Sequence, residues 1–219
     1  MKQKTIVLLS SGIDSAVNLA LSSQKDRPVL ALTFDYGQAA GKRELVYAGK
    51  LAEYYRVPHR VIKLDWYKEL AKLAHQQEDF TMPVFDAEKQ AAKTVWMPNR
   101  NGLFINIAAC FAEALGAQTI LFGGNAEEAE SFPDNSHHFV RSANKALSLS
   151  ARREVKLKSY TISMQKTEIV REAQKLGLPF KFVWSCYHDG NRMCGQCESC
   201  LRLKRGAGES GIDIAHFNF

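Results

Sequence analysis

No apolar run in this chain of 219 residues approaches the ~20 needed to cross a bilayer. The first residues, Met1-Lys2-Gln3-Lys4, lead straight into a strand-like segment and carry no apolar stretch or cleavage site of a secretory signal. A cytoplasmic location is expected. The G-x-x-x-x-G-K-S/T spacing of the Walker loop is also missing. So are internal repeats, low-complexity linkers and any RNA-binding motif beside the basic residues. What is present is ordinary globular material, 46% hydrophobic and 24% charged, long enough to bury one core with a small appendage. A net charge of +6 suits anionic ligands without telling a nucleotide from a nucleic acid. Much of the excess sits in Arg152, Arg153, Lys156, Lys158, Arg202, Lys204 and Arg205, read as a solvated basic face rather than a nucleic-acid surface.

Strand and helix patterns alternate along the chain. Thr5 to Leu9, Pro28 to Phe34, His59 to Leu64 and Thr119 to Phe122 read as strands. Ile13 to Ser23, Arg43 to Tyr55, Gly102 to Leu115 and Lys166 to Leu176 read as helices, with Gly116 and Gly177 as stops. Such alternation indicates an α/β fold, a doubly wound, mostly parallel sheet covered on both faces. Asp65 to Val95 has weak periodicity and reads as an insertion or cover. Three polar motifs fall at the carboxyl ends of strands, where such sheets bind ligands: Ser10 to Ser15, Asp35 to Gln38, and Gly123 to Asn125.

The segment Leu9-Ser10-Ser11-Gly12-Ile13-Asp14-Ser15 joins a strand to a helix start. Free backbone N–H groups and the positive end of the helix dipole converge at such a turn and favour an anion. Ser10, Ser11 and Ser15 add hydroxyls, and Asp14 could orient a metal ion or a nucleophile. An ordinary capped turn has the same residue types.

Four of the five cysteines fall in one stretch, as Cys186-x7-Cys194-x2-Cys197-x2-Cys200. Two overlapping C-x2-C steps and a fourth cysteine suit tetrahedral zinc, with Gly195 supplying a tight turn. A four-cysteine iron–sulfur cluster stays open. Disulfides fit a reducing compartment poorly, and a redox pair rarely sits inside such a knot. His188 would be a surplus ligand and is expected in solvent, whereas Cys110, in an apolar helix, is expected in the core.

The strand-to-helix turn resembles the S-G-G-x-D-S loop of the PP-loop ATP pyrophosphatases, which cleave ATP to AMP and pyrophosphate. Ser10, Gly12, Asp14 and Ser15 match, and Ser11 stands where that family usually has glycine. A serine there must keep φ negative or accept strain. One branch is closer. Thr33-Phe34-Asp35-Tyr36-Gly37-Gln38 resembles the T-F-D-Y-G-Q motif of the QueC family of 7-cyano-7-deazaguanine synthases. Pro98-Asn99-Arg100-Asn101 resembles its P-G-R-N, with Asn99 for glycine. Gly123 to Ser136 resembles its G-x-N-x-x-D-x-S-G-Y-P-D-C-R stretch, and Trp184 to Tyr187 with Cys194 to Cys200 resembles its zinc region. The resemblance runs through most of the chain in order.

The resemblance implies an adenine-nucleotide α-hydrolase-like domain over residues 1–183, with a four-cysteine zinc segment over residues 184–219 packed on it. It implies a ligase that adenylates 7-carboxy-7-deazaguanine with ATP and Mg2+, then converts it with ammonia, through the amide, to the nitrile. By match, Leu9, Ser10, Ser11, Gly12, Asp14, Ser15, Asp35, Tyr36, Gln38 and Asn125 would contact nucleotide or substrate. Asp14, Ser15, Arg100 and Lys166 would carry the chemistry, and Cys186, Cys194, Cys197 and Cys200 a structural zinc ion. A homodimer is the family's common state.

Departures gather between Glu127 and Ser136: Glu128 for Asp, Ala129 for an aromatic, Phe132 for Tyr, Asn135 for Cys and Ser136 for Arg. Losing that arginine removes a fork of donors suited to a carboxylate. Two alternatives therefore accompany the synthase reading. One is a paralogue, of the kind found in antiphage operons, that passes the activated carboxylate to a protein or another amine. The other is a nucleotide-binding module without turnover.

Overall fold

The computed structural model describes residues 2–75 and 96–219. Its elements run β1 (Lys4–Leu8), α1 (Ile13–Lys25), β2 (Arg27–Asp35), α2 (Gly41–Tyr54), β3 (His59–Lys63) and α3 (Asp65–His75). Then come α4 (Arg100–Leu115), β4 (Thr119–Leu121), the single-turn α5 (Ala126–Ala129), α6 (His137–Ser150), β5 (Lys156–Lys158), α7 (Lys166–Lys175) and α8 (Glu198–Glu209). Among the described residues the strands form one sheet of order β3-β2-β1-β4-β5, and every neighbouring pair is parallel.

Central β1 shows why a near-continuous apolar run makes a buried strand. Thr5, Ile6 and Val7 are inaccessible to solvent, and successive side chains enter opposite cores. Val7 and Leu9 pack with Ala16 and Val17 of α1 and Ala48 of α2. Ile6 packs with Phe104, Ala108 and Ala112 of α4. The chain winds outward from β1 to β3 through α1 and α2, then returns across the other face to β4. Winding reverses between β1 and β4, and the carboxyl ends at such a switch point are where sheets of this kind bind ligands.

The C-terminal segment enters the first of these cores. Trp184, Cys186, Cys200, Leu203 and Ala207 bury in the same cluster as Val7 and Leu9. Trp184 stacks on Tyr47 with ring centroids 5.5 Å apart, and its backbone N–H donates to the Ser11 carbonyl at 2.9 Å. No helix of the described residues is long and apolar enough to cross a membrane.

Five elements escaped the sequence reading: α3, the single-turn α5, α6, the three-residue β5, and α8 within the cysteine region. Asp65–His75 of the supposed insertion is helix α3, and residues 76–95 lie outside the described residues. Cys110 is exposed, against expectation. The buried side of α4 is Phe104, Ile105, Ala108, Ala109 and Ala112, and Cys110 falls about 200° round from Ala108. His188 is exposed as expected.

Candidate active site

The turn after β1 leaves the start of α1 without a side-chain cap. Gly12 is the N-cap of α1, with extended backbone and no side-chain cap, so the first amides of the helix keep no such partner. Ser11 stands at φ 66°, the left-handed region, so it accepts the strain that glycine would avoid. Asn99, the other residue standing for a family glycine, is also left-handed, at φ 49°. Asparagine is among the residues that tolerate this region best. Ser11→Gly is expected to raise stability by about 0.5–1 kcal/mol: relief of about 1–2 kcal/mol of strain is partly offset by the greater freedom of the unfolded chain. Thermal unfolding tests this, and an unchanged or lower midpoint would count against strain at Ser11.

Other loop groups brace the turn. The Ser15 hydroxyl donates to the Gly12 carbonyl at 2.9 Å and accepts from the Ser10 N–H at 3.2 Å. Leu9 lies in the core; its N–H donates to the Leu32 carbonyl, and its own carbonyl accepts from the Thr33 hydroxyl. The loop after β4 lies hard against α1. A Cβ added at Gly123 would stand 3.0 Å from the Ser15 nitrogen and 3.3 Å from the Asp14 Cβ.

Lys166, the first residue of α7, is 4% exposed. Its Nζ donates to both Asp14 carboxylate oxygens, at 2.9 and 2.7 Å, and to Glu128 Oε1 at 3.1 Å. Burial pulls the lysine pKa down, but the two carboxylates outweigh it and hold the ammonium well above its ordinary range. Burial raises the Asp14 carboxyl, with Lys166 opposing. Burial also raises Glu128, yet Lys166 and Arg202 outweigh it and keep that carboxyl below its ordinary value. Asn125 is fully buried and caps α5, its Oδ1 accepting from the Glu128 N–H at 2.8 Å. It thus helps to aim Glu128 at Lys166.

Glu127 and Glu128 also reach the cysteine region. Glu127 accepts from the Lys166 backbone N–H at 3.2 Å and from Arg205 at 2.5 Å. Arg202, with its side chain 14% exposed, lies 3.6 Å from Glu127 and 4.0 Å from Glu128, and donates to Glu198. Arg202 is therefore not part of a solvated basic face but a partner of α5, and Arg205, although half exposed, also pairs with it. Gly206 packs α8 onto the start of α7, where an added Cβ would meet the Lys166 backbone at 3.3 Å.

A second cationic cluster lies at the end of β2 and the start of α4. Gln38 folds back on its own turn: its Oε1 accepts from the Tyr36 N–H at 3.0 Å, and its Nε2 donates to the Phe34 carbonyl and to Glu44. Gly37 makes the turn at φ 82°. Burial alone would lower Arg100, but Tyr36, Asp134 and Glu44 raise it above its ordinary value. Asp35 is half-buried at the strand end. Lys166 and Arg100 thus belong to neighbouring clusters, and Asp134 feels both Arg100 and Glu128. Sequence reasoning missed Glu44, Glu127, Glu128, Asp134 and Arg202 as site residues.

The sulfur atoms of Cys186, Cys194, Cys197 and Cys200 all lie within 4.8 Å of one another. Two pairs are separated by 3.9 and 4.0 Å. A regular tetrahedron of sulfurs about 2.3 Å from zinc has edges of about 3.8 Å, so the four fit a metal ion. Backbone N–H groups of His188 and Cys194 point to the Cys186 sulfur, and those of Gln196 and Cys197 to the Cys194 sulfur. Such donors favour thiolates. The cluster could hold a metal through four ligands with no position left over.

Comparison with known proteins places this arrangement. The profile described as "Queuosine biosynthesis protein QueC" matches residues 4–211. A 7-cyano-7-deazaguanine synthase of Carboxydothermus hydrogenoformans is 48% identical over 94% of this chain and 99% of its own length. That of Bdellovibrio bacteriovorus is 44% identical over 98% and 96%. That of Methanosarcina mazei is 41% identical over 95% of both. Among solved structures, an NMN synthetase of Francisella tularensis superposes with a TM-score of 0.52 at 16% identity, over 97% of this chain and 79% of that one. The U34-tRNA thiolase NcsA of Methanococcus maripaludis, solved with its [4Fe-4S] cluster, gives 0.50 at 15% identity, over 98% and 68%. These two share the fold. The match over nearly the whole length, with the cysteine cluster and the nucleotide-type loop in place, makes this chain a member of the QueC family.

Proposed function

We propose that this protein is an ATP-dependent 7-cyano-7-deazaguanine synthase. The observation that carries the reading is Lys166, buried and paired with Asp14 at the mouth of an uncapped helix turn. A buried ammonium held there is placed to accept the charge of a departing pyrophosphate. Identity of 48% to a relative of that name over nearly the whole length supports the same reading.

In this mechanism the free amides of α1 hold the ATP phosphates. The substrate carboxylate attacks the α-phosphorus, and pyrophosphate leaves against Lys166. Ammonia attacks the acyl carbon and AMP leaves, giving the amide. A second ATP activates the amide oxygen, and loss of that oxygen as AMP gives the nitrile. Asp14 offers hard oxygen ligands for Mg2+, which when bound would neutralise phosphate charge. Residues 1–183 are the nucleotide domain in this reading. Residues 184–219 are a segment held to it by zinc on Cys186, Cys194, Cys197 and Cys200, contributing folding energy and no chemistry.

The altered stretch fits the reading without a different acceptor. Glu128 pairs with Lys166, and Ser136 caps α6 by accepting from the Phe139 N–H at 3.1 Å. Incubation with ATP, Mg2+, 7-carboxy-7-deazaguanine and ammonium, followed by mass spectrometry, should yield the amide, then the nitrile, with AMP and pyrophosphate. AMP without nitrile would reject ammonia as the acceptor. No AMP at all would reject the ligase.

A further inference from the structure

We propose that Trp96, Phe132 and Asp134 form the seat of the substrate's heterocycle: a guanine-type ring lies against the two aromatic faces and donates two N–H bonds to the Asp134 carboxylate. The inference rests on the synthase reading for the identity of the ring.

Trp96 and Phe132 are parallel within 8°, with centroids 6.2 Å apart. The closed stack of Phe34 on Phe104 has the same tilt, 7°, but a spacing of 3.9 Å. At the wider spacing the two rings leave aromatic surface uncovered, which a flat ligand can stack upon. Both rings line one small cavity together with Met97, Arg100 and Asp134. The cavity measures ≈ 10 Å³, about the room of one water, so an entering ring must part Trp96 from Phe132 to lie against both.

Asp134 is held for this task. It sits in the short turn Pro133–Asn135, whose proline fixes the backbone. Asn135 is buried and donates to Asp134 Oδ1 at 3.2 Å, and Asn101 donates to the Asp134 carbonyl at 3.4 Å. Burial raises the Asp134 carboxyl above its ordinary value, and Arg100, in the same cavity, opposes that rise. An ionised carboxylate only accepts hydrogen bonds. The guanine edge offers two adjacent donors, the ring N–H and the exocyclic amine. Adenine offers one donor beside an acceptor nitrogen, and that nitrogen would face the carboxylate unpaired. The seat therefore selects the deazaguanine over the adenine of ATP.

Two measurements test this. In kinetics, Asp134→Asn and Phe132→Leu should raise KM for 7-carboxy-7-deazaguanine about tenfold or more and leave KM for ATP within about twofold. A rise in KM for ATP instead would overturn the assignment. In direct titration, 7-deazaguanine, which lacks the reacting carboxylate, should bind and change tryptophan emission without turnover. Trp96→Phe should keep the binding, read by calorimetry, and lose the emission change. If ATP rather than 7-deazaguanine moves the Trp96 signal, or 7-deazaguanine does not bind, the seat is wrong even where nitrile forms. If wild-type protein makes no nitrile yet binds 7-deazaguanine in an Asp134-dependent way, the synthase reading fails and the seat stands.

Discussion

Lys166→Met should lower AMP release about 10³-fold or more, the scale set by removing a cation from a phosphoryl-transfer site. Methionine keeps the length and apolar stem of lysine but cannot meet the pyrophosphate charge. The same change leaves Asp14 and Glu128 facing each other without their shared cation. Breaking a buried ion pair costs about 3–5 kcal/mol, and the lower end applies because these side chains are 15% and 26% exposed.

The pH dependence of stability separates the two losses. In Lys166→Met, two like charges raise each other's pKa above the unfolded values. The folded state then holds more protons than the unfolded one, so stability falls as pH rises from the unfolded carboxylate range through the raised folded values. The wild-type lysine behaves otherwise. Its pKa is raised above the ordinary 10.5, so its stabilisation is complete below that pH and is lost only as pH climbs through the folded value. Adding Glu128→Gln to Lys166→Met should restore much of the stability at neutral pH and none of the activity. Wild-type rates of AMP release from either variant would remove Lys166 from the mechanism.

Local signals were legible in the chain because their parts are neighbours. The apolar run of β1, the polar turn and the start of α1 lie within twenty residues, and the four clustered cysteines share one short stretch. The partners of Lys166 were not legible. Asp14 lies 152 positions away and Glu128 38, and only the switch-point topology brings them together. Arg202 and Arg205 looked like a solvated face for the same reason, since their acids sit on α5. Ser11 and Asn99 were visible as departures from glycine, but a φ angle is not written in a residue name. Helix α8 was hidden by its own composition: Gly206 and Gly208 lower helix propensity, yet Gly206 is what lets α8 reach α7.

Removing the metal should silence the enzyme by releasing Lys166, although the cysteines touch no phosphate. Cys197 is the N-cap of α8, and Cys200 lies in that helix's first turn. Without zinc nothing ties the four sulfurs together, and a structural site of this kind contributes about 10–16 kcal/mol in small zinc domains. That energy is enough to set α8 loose. With α8 go Arg202 and Arg205, which hold Glu127 and Glu128, and Gly206, which packs on the Lys166 backbone. Protein purified without oxygen should carry about one zinc per chain. Chelation should then cut AMP release about 10–100-fold, the range of losses seen when groups supporting a site are removed. Hydrogen exchange should rise in α7 and α8, while β1 and β2 stay protected until the chain unfolds globally. Added zinc should restore both. Full activity in the metal-free protein would sever the knot from the chemistry, and a brown protein holding iron and sulfide would replace zinc with a cluster. Arg202→Met provides the same test with the metal in place: α8 stays folded, zinc content is unchanged, and kcat falls because Glu127 and Glu128 lose a cation that helps to fix them beside Lys166.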